Sequence, residues 1–159
     1  GQHQVCTVGK IDLFPNLVNV IPAKAVLTVD IRNTNEQTLR NAETELTNFL
    51  VDIAHNEGVA ISTRYLARFE PVEFHPQVVE LISTIAKTHT QAVVHMPSGA
   101  GHDAQMFARV CPSAMIFVPS VEGISHNPSE FTSQKDITLG TNILLQVLLQ
   151  LAATKEFST

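Results

Sequence analysis

The sequence is poor in several residues that mark particular protein classes. It has no Trp, one Tyr and two Cys in 159 residues. Two Cys, at positions 6 and 111, cannot staple a small secreted scaffold, and they lack the close spacing of a metal-binding pair. They read as small buried hydrophobes in a reducing, cytoplasmic compartment. Basic charge is also scarce. Ten Lys and Arg against fifteen Asp and Glu give a formal charge of −5, which argues against nucleic-acid binding through a basic surface. A long apolar run is missing too. The longest, Ile143 to Ala153, is eleven residues interrupted by Gln146 and Gln150, too short to span a bilayer. No nucleic acid and no membrane are therefore expected as partners. The N-terminus GQHQVCTVGK has neither an initiator Met nor the layout of a signal peptide. It enters strand-like sequence almost at once, which reads as a cut through a longer chain.

What is present suits a folded chain. Apolar residues make up 44% and charged residues 16%, which excludes a disordered chain and allows one ordinary domain or two small ones. Val5 to Leu13 and Ala25 to Arg32 read as strands. In the second, Ala25, Leu27, Val29 and Ile31 form one face, expected to be core, and Val26, Thr28, Asp30 and Arg32 the other. Asn33 or Thr34 is placed to cap a helix carrying Leu39, Ala42, Leu46, Phe49, Leu50 and Ile53, which Gly58 ends. Val59 to Phe69 reads as a third strand of the same antiparallel sheet. Near Glu70-Pro71 and His75-Pro76 the pattern changes, and the domain boundary is placed between 74 and 75. Beyond it come a helix from Pro76, a short strand Ala92 to Met96, a Gly-rich turn leading into a helix through Phe107, and a strand Ala114 to Val118 buried on both faces. A terminal helix, Asp136 to Ala153, presents Ile137, Ile143, Leu144, Val147, Leu148 and Leu151 to the core. Helix and strand alternate here, so this part is expected to be α/β.

Two loops concentrate polar residues. Ser98-Gly99-Ala100-Gly101-His102-Asp103 combines small residues, which let backbone approach a ligand, with a His and an acid. A plain turn into a helix N-terminus explains the same residues. Gly123 to Glu130 carries His126, a residue type that binds metals readily, with Asn127 and Glu130 able to orient it. A solvated surface turn is the alternative. Arg32, at a strand end, has the planar fork that suits a carboxylate, with Asp30 on the same face as a competing partner. His3, His55, His75, His89 and His95 show no partner spacing and read as solvent or local contacts. Ser98 and Ser120 lack the nucleophile-elbow pattern.

The run PSGAGHDAQMFARVCPSAMIFVPSVEGISHNPSEFT resembles the C-terminal catalytic segment of the dinuclear zinc amidohydrolases. These are the N-carbamoyl-L-amino-acid hydrolases, allantoate amidohydrolases and ureidopropionases, relatives of aminoacylase-like metallopeptidases. TVGKIDLFPNLVNVIPAKAVLTVDIRN resembles their lid, or dimerisation, domain. The resemblance covers nearly the whole chain, and its two motifs are SGAGHDA and GISHNPSE. It implies a mixed α/β fold: part of a ferredoxin-like lid at 1–74, then the C-terminal part of a zinc-peptidase-like catalytic domain at 75–159. It implies hydrolysis of N-carbamoyl-L-amino acids or allantoate, with release of ammonia and carbon dioxide. By the same resemblance His126 is a metal ligand and His102 a catalytic and substrate-binding residue. Asn19 and Arg32 hold the substrate carboxylate, Gly101 meets the substrate through its backbone, and Asp103 orients His102. The implied cofactor is a pair of divalent ions, zinc first, with manganese, cobalt or nickel as alternatives. The implied partners are a small carboxylate substrate and a second copy, through the lid. The family's other ligands and its catalytic Glu fall upstream of residue 1, so the expectation is a fragment inactive by itself. A non-catalytic dimerisation or assembly module is the alternative.

Overall fold

The computed structural model describes residues 4–154, so His3 lies outside the described residues. Two compact units form. The first runs to Pro71 and takes in Pro97–Ala100; the second comprises Val72–Met96 and the chain from Gly101 onward.

In the first unit, β1 (Val5–Phe14) pairs antiparallel with β2 (Lys24–Arg32), Val5 opposite Arg32 and Phe14 opposite Lys24. The register shifts between Val8 and Lys10, making Gly9 the extra residue of a bulge. Helix α1 (Glu36–Glu57) begins at Asn35, whose side chain accepts from the Thr38 amide, and ends at Gly58 with φ 63°. That left-handed turn is one glycine adopts without steric cost. The expected caps, Asn33 and Thr34, stand just upstream. Asn33 Oδ1 instead accepts from the Asn35 amide at 2.8 Å, bracing the residue that does the capping.

The third strand is not formed. Val59 to Phe69 has no ladder partner, and the sheet has two strands. The end of this segment is held on α1 instead: Arg68 bonds Glu36 at 2.8 Å and Glu43 at 3.0 Å. Glu36 also receives Arg40, one turn on, at 2.6 Å. With a sheet this narrow, the face read as core is uncovered except at Ile31, which is half-buried. Leu27 is 52% and Val29 38% exposed. Cys6, on β1, is exposed for the same reason, and Cys111 is exposed beyond Phe107; neither is the buried hydrophobe expected.

In the second unit, α2 (Pro76–His89) starts with Pro at a position that needs no amide donor. Its Ile85 and Ala86 pack with Ile143 and Val147 of α4 (Gln134–Ala153). Leu81, Ile82, Val93, Ile116, Leu139 and Leu151 close around this cluster. Ser133 caps α4 by accepting from the Asp136 amide. Gly140 leaves room for the Val118 side chain, which a Cβ would strike. Ile137, Leu144 and Leu148, expected in the core, are exposed. By length and composition α4 is long and apolar enough to cross a membrane, which the interrupted apolar run did not suggest; its contacts with α2 make it a packing helix of this unit.

Ala92 to Met96 and Ala114 to Val118 form no strands. A strand needs a neighbour to take its amides and carbonyls, and apolar sequence does not supply one. Phe117 is 50% exposed, far from the doubly covered strand expected.

Because Ile85 is 3% exposed at the centre of the α2–α4 contact, Ile85→Ala should cost about 2–4 kcal/mol of unfolding free energy. Urea denaturation followed by helix signal checks this. A loss under about 1 kcal/mol would contradict the placement of the core.

Candidate active site

The residues singled out in the sequence fall in both units, and each is shaped by its own element. Arg32 is the last residue of β2, on the same side as Asp30 two residues earlier. Its Nε donates to both Asp30 oxygens, at 2.9 and 3.0 Å, and its Nη2 donates to Asp30 Oδ2. Its Nη1 donates to the Gly99 carbonyl at 2.9 Å, 67 positions along the chain. The Asp30 pairing that the sequence left as a competing contact is thus made. The Gly99 contact carries no sequence signal. It ties the end of β2 to the loop Pro97–Ala100, whose next residues are Gly101 and His102.

Asn19 lies in the turn Leu17–Val20, exposed, with no side-chain hydrogen bond among the described residues. It is not bonded to Arg32, so these two expected carboxylate contacts share a unit without a direct link.

His102 stands at the N-cap of the short helix α3 (Asp103–Phe107). Its Nδ1 accepts the Ala104 amide at 3.0 Å. A ring nitrogen that accepts carries no proton, so the neutral ring holds its proton on Nε2 and presents a donor to solvent. Asp103 does not orient this ring. Its carboxylate makes no hydrogen bond among the described residues and sits in the first helical turn, where negative charge is favoured. The helix amide fixes the imidazole.

Gly99 and Gly101 are not required by the backbone. Neither has φ in the left-handed region, and a Cβ on either meets no atom within 4 Å.

His126 is exposed and adopts φ 57°. Its backbone amide donates to Glu130 Oε2 at 2.8 Å, and Asn127 Oδ1 accepts from the Ser129 amide at 2.9 Å. Asn127 and Glu130 therefore shape the loop backbone and do not orient the imidazole as expected. The His126 ring makes no hydrogen bond among the described residues. No group of three His, Cys, Asp or Glu side chains able to hold a metal occurs among the described residues. They do not make up a two-ion centre by themselves.

His95, read as a solvent or local contact, is seated on a buried helix residue. His95 Nε2 lies 2.9 Å from the hydroxyl of Ser83, which is 2% exposed on α2. The contact is tertiary, and twelve residues of separation hid it.

Comparison with known proteins adds the wider frame. The profile of peptidase family M20/M25/M40 matches residues 4–150. An allantoate amidohydrolase of Escherichia coli (strain K12) is 38% identical over 155 residues, 98% of this chain and 38% of that protein. An N-carbamoyl-L-amino-acid amidohydrolase of Rhizobium meliloti is 35% identical over 149 residues, 94% of this chain and 36% of that protein. A crystal structure of a hydantoinase/carbamoylase family amidase from Burkholderia multivorans aligns with a TM-score of 0.86 at 34% identity. That alignment covers 94% of this chain and 36% of that one. The chain spans little more than a third of the length of these relatives.

The hydrogen bonds from Arg32 hold the Asp30 carboxyl below its ordinary value, against a smaller opposing effect of burial. A depressed folded-state value means that the pair's stabilisation is complete above the unfolded aspartate value of about 3.9 and is lost as pH falls through the folded one. The pair is therefore intact across the neutral range. A carboxyl-carbon NMR titration of Asp30 should give a midpoint below about 3.9. A midpoint at or above that value would contradict the pairing.

Proposed function

The chain belongs to peptidase family M20/M25/M40, and on that premise we propose that it is the C-terminal part of an amidohydrolase for carboxylate-bearing linear amides. The substrates proposed are N-carbamoyl-L-amino acids or allantoate. For the former, water adds to the ureido carbonyl and the bond from that carbon to the amino-acid nitrogen breaks. The nitrogen takes up the proton, and the carbamate released decomposes to ammonia and carbon dioxide.

One observation supports this reading above the others: a guanidinium suited to a carboxylate is bonded to the loop that runs directly into His102. In the proposed reaction Arg32 holds the substrate carboxylate, with Asn19 as a second donor from the Leu17–Val20 turn. His102 offers its Nε2 proton to the oxygen of the scissile carbonyl, where negative charge develops as water adds. Its capping bond fixes the tautomer that can do so. Gly101, with nothing of this chain above its Cα, lets substrate approach the backbone. His126 is proposed as one ligand of a divalent ion, zinc first, completed by residues outside the described ones; bound there, such an ion would activate water at neutral pH. A homodimer through the first unit and a cytoplasmic setting belong to the same proposal, and the free Cys6 and Cys111 accord with a reducing compartment.

The test uses a protein carrying this chain at the full length of its relatives. It should hydrolyse N-carbamoyl-L-amino acids or allantoate; failure on both with divalent metal supplied would sink the enzyme reading. Arg32→Ala should raise KM for the carboxylate substrate about 30-fold or more, the loss expected when a charge-assisted pair is truncated. An unchanged KM refutes its role. His102→Asn keeps a good capping residue but loses the Nε2 donor, so kcat should fall about 10²- to 10³-fold with an unchanged melting temperature. Retained kcat would remove His102 from the chemistry.

A further inference from the structure

The donors of Arg32 can be counted. A guanidinium has five N–H groups. The Nε–H is shared between both oxygens of Asp30, one Nη2–H goes to Asp30 Oδ2, and one Nη1–H goes to the Gly99 carbonyl. Two N–H groups are left, one on each terminal nitrogen. The remaining Nη2–H points along the edge shared with Nη1, since the other edge is occupied by Asp30. The side chain is half exposed, and neither of these two donors has a hydrogen-bond partner among the described residues. A free Arg side chain on a strand end would sample many rotamers and lose that freedom on binding. Here the loss has been met already, by one carboxylate and one carbonyl.

We propose that Asp30 is a positioning residue for carboxylate recognition: together with the Gly99 carbonyl it clamps the guanidinium of Arg32 and leaves the Nη1 and Nη2 donors directed at the substrate carboxylate. Asp30 is not displaced when substrate binds. Its charge lowers the attraction of Arg32 for a second anion, and the gain is orientation: a fixed fork selects a planar carboxylate over a neutral amide. The loop Pro97–Ala100 takes part through its backbone carbonyl, so placing a side chain at Gly99, where a Cβ meets no atom within 4 Å, does not mimic the loss of Asp30. This inference rests on the reading of Arg32 as the carboxylate anchor.

The experiment compares Asp30→Asn, Asp30→Glu and Arg32→Ala in the full-length protein, with an N-carbamoyl-L-amino acid and its carboxamide analogue as substrates. Asp30→Asn, nearly isosteric, should raise KM for the carboxylate about 5- to 10-fold, with kcat changed less than about twofold and the carboxamide KM unmoved (a split in line with lost uniform binding). Asp30→Glu, which restores the charge, should recover most of the loss. A KM that is unchanged or lowered in Asp30→Asn overturns the proposal, since a lowered value makes Asp30 a competitor of substrate. If Arg32→Ala itself leaves KM unchanged, the anchor reading fails first. If Arg32→Ala raises KM and Asp30→Asn does not, only the positioning role fails. A second readout needs no variant. On titrating the unmodified protein with an N-carbamoyl-L-amino acid, the Arg32 Nη resonances should shift while Nε–Hε keeps its hydrogen-bonded position. Loss of the Nε–Hε position on binding would show Asp30 displaced and overturn the proposal.

Discussion

A guanidinium bonded on one side to a carboxylate and on another to a backbone carbonyl has little freedom left. That is the state of Arg32, and the functional reading depends on it. The Asp30 contact follows from strand geometry, because residues two apart share a face. The Gly99 contact brings in the loop Pro97–Ala100, and through the chain itself the segment that ends in His102. Neither half of the pair with Asp30 is deeply buried, so the interaction adds little stability by itself. Its value is directional.

His102 shows a similar economy. The residue caps a helix of five residues, and that structural bond decides its chemistry. An imidazole accepting at Nδ1 donates at Nε2, so in the neutral state it suits an oxygen that gains negative charge better than it suits proton abstraction. The loop at His126 works differently. Its hydrogen bonds run through backbone amides to Glu130 and Asn127, leaving the ring without a protein partner among the described residues. A ring so placed can give a lone pair to a cation, and one imidazole is a ligand only in company.

Much of the helical structure was readable from residues. Asn35 sits two residues past the first expected cap, Gly58 ends α1 as expected, and Pro76 opens α2. These are local signals. The three missing strands, at 59–69, 92–96 and 114–118, share one cause: strand propensity is written in a segment, whereas the partner is elsewhere. Arg68 illustrates the competition, since its bonds to Glu36 and Glu43 fix its segment on α1. The same reasoning explains the exposed Leu27, Val29, Leu144 and Leu148. Amphipathic patterning names a face that can be buried and says nothing of what covers it. The motifs around His102 and His126 lie in two loops, and the resemblance they carry agrees with the family profile over residues 4–150. Periodicity could not reach the tautomer of His102, the link from Arg32 to Gly99 or the seating of His95 on Ser83. Each is a contact made by folding between groups that the sequence sets apart or shows without orientation.

The most direct test is a crystal structure of the full-length protein with an N-carbamoyl-L-amino acid bound. The carboxylate is expected on the Nη1 and Nη2 donors of Arg32, with Asp30 still on Nε and the ureido oxygen within hydrogen-bond reach of His102 Nε2. A substrate carboxylate seated on another cation, with Arg32 turned away from it, would contradict the central claim.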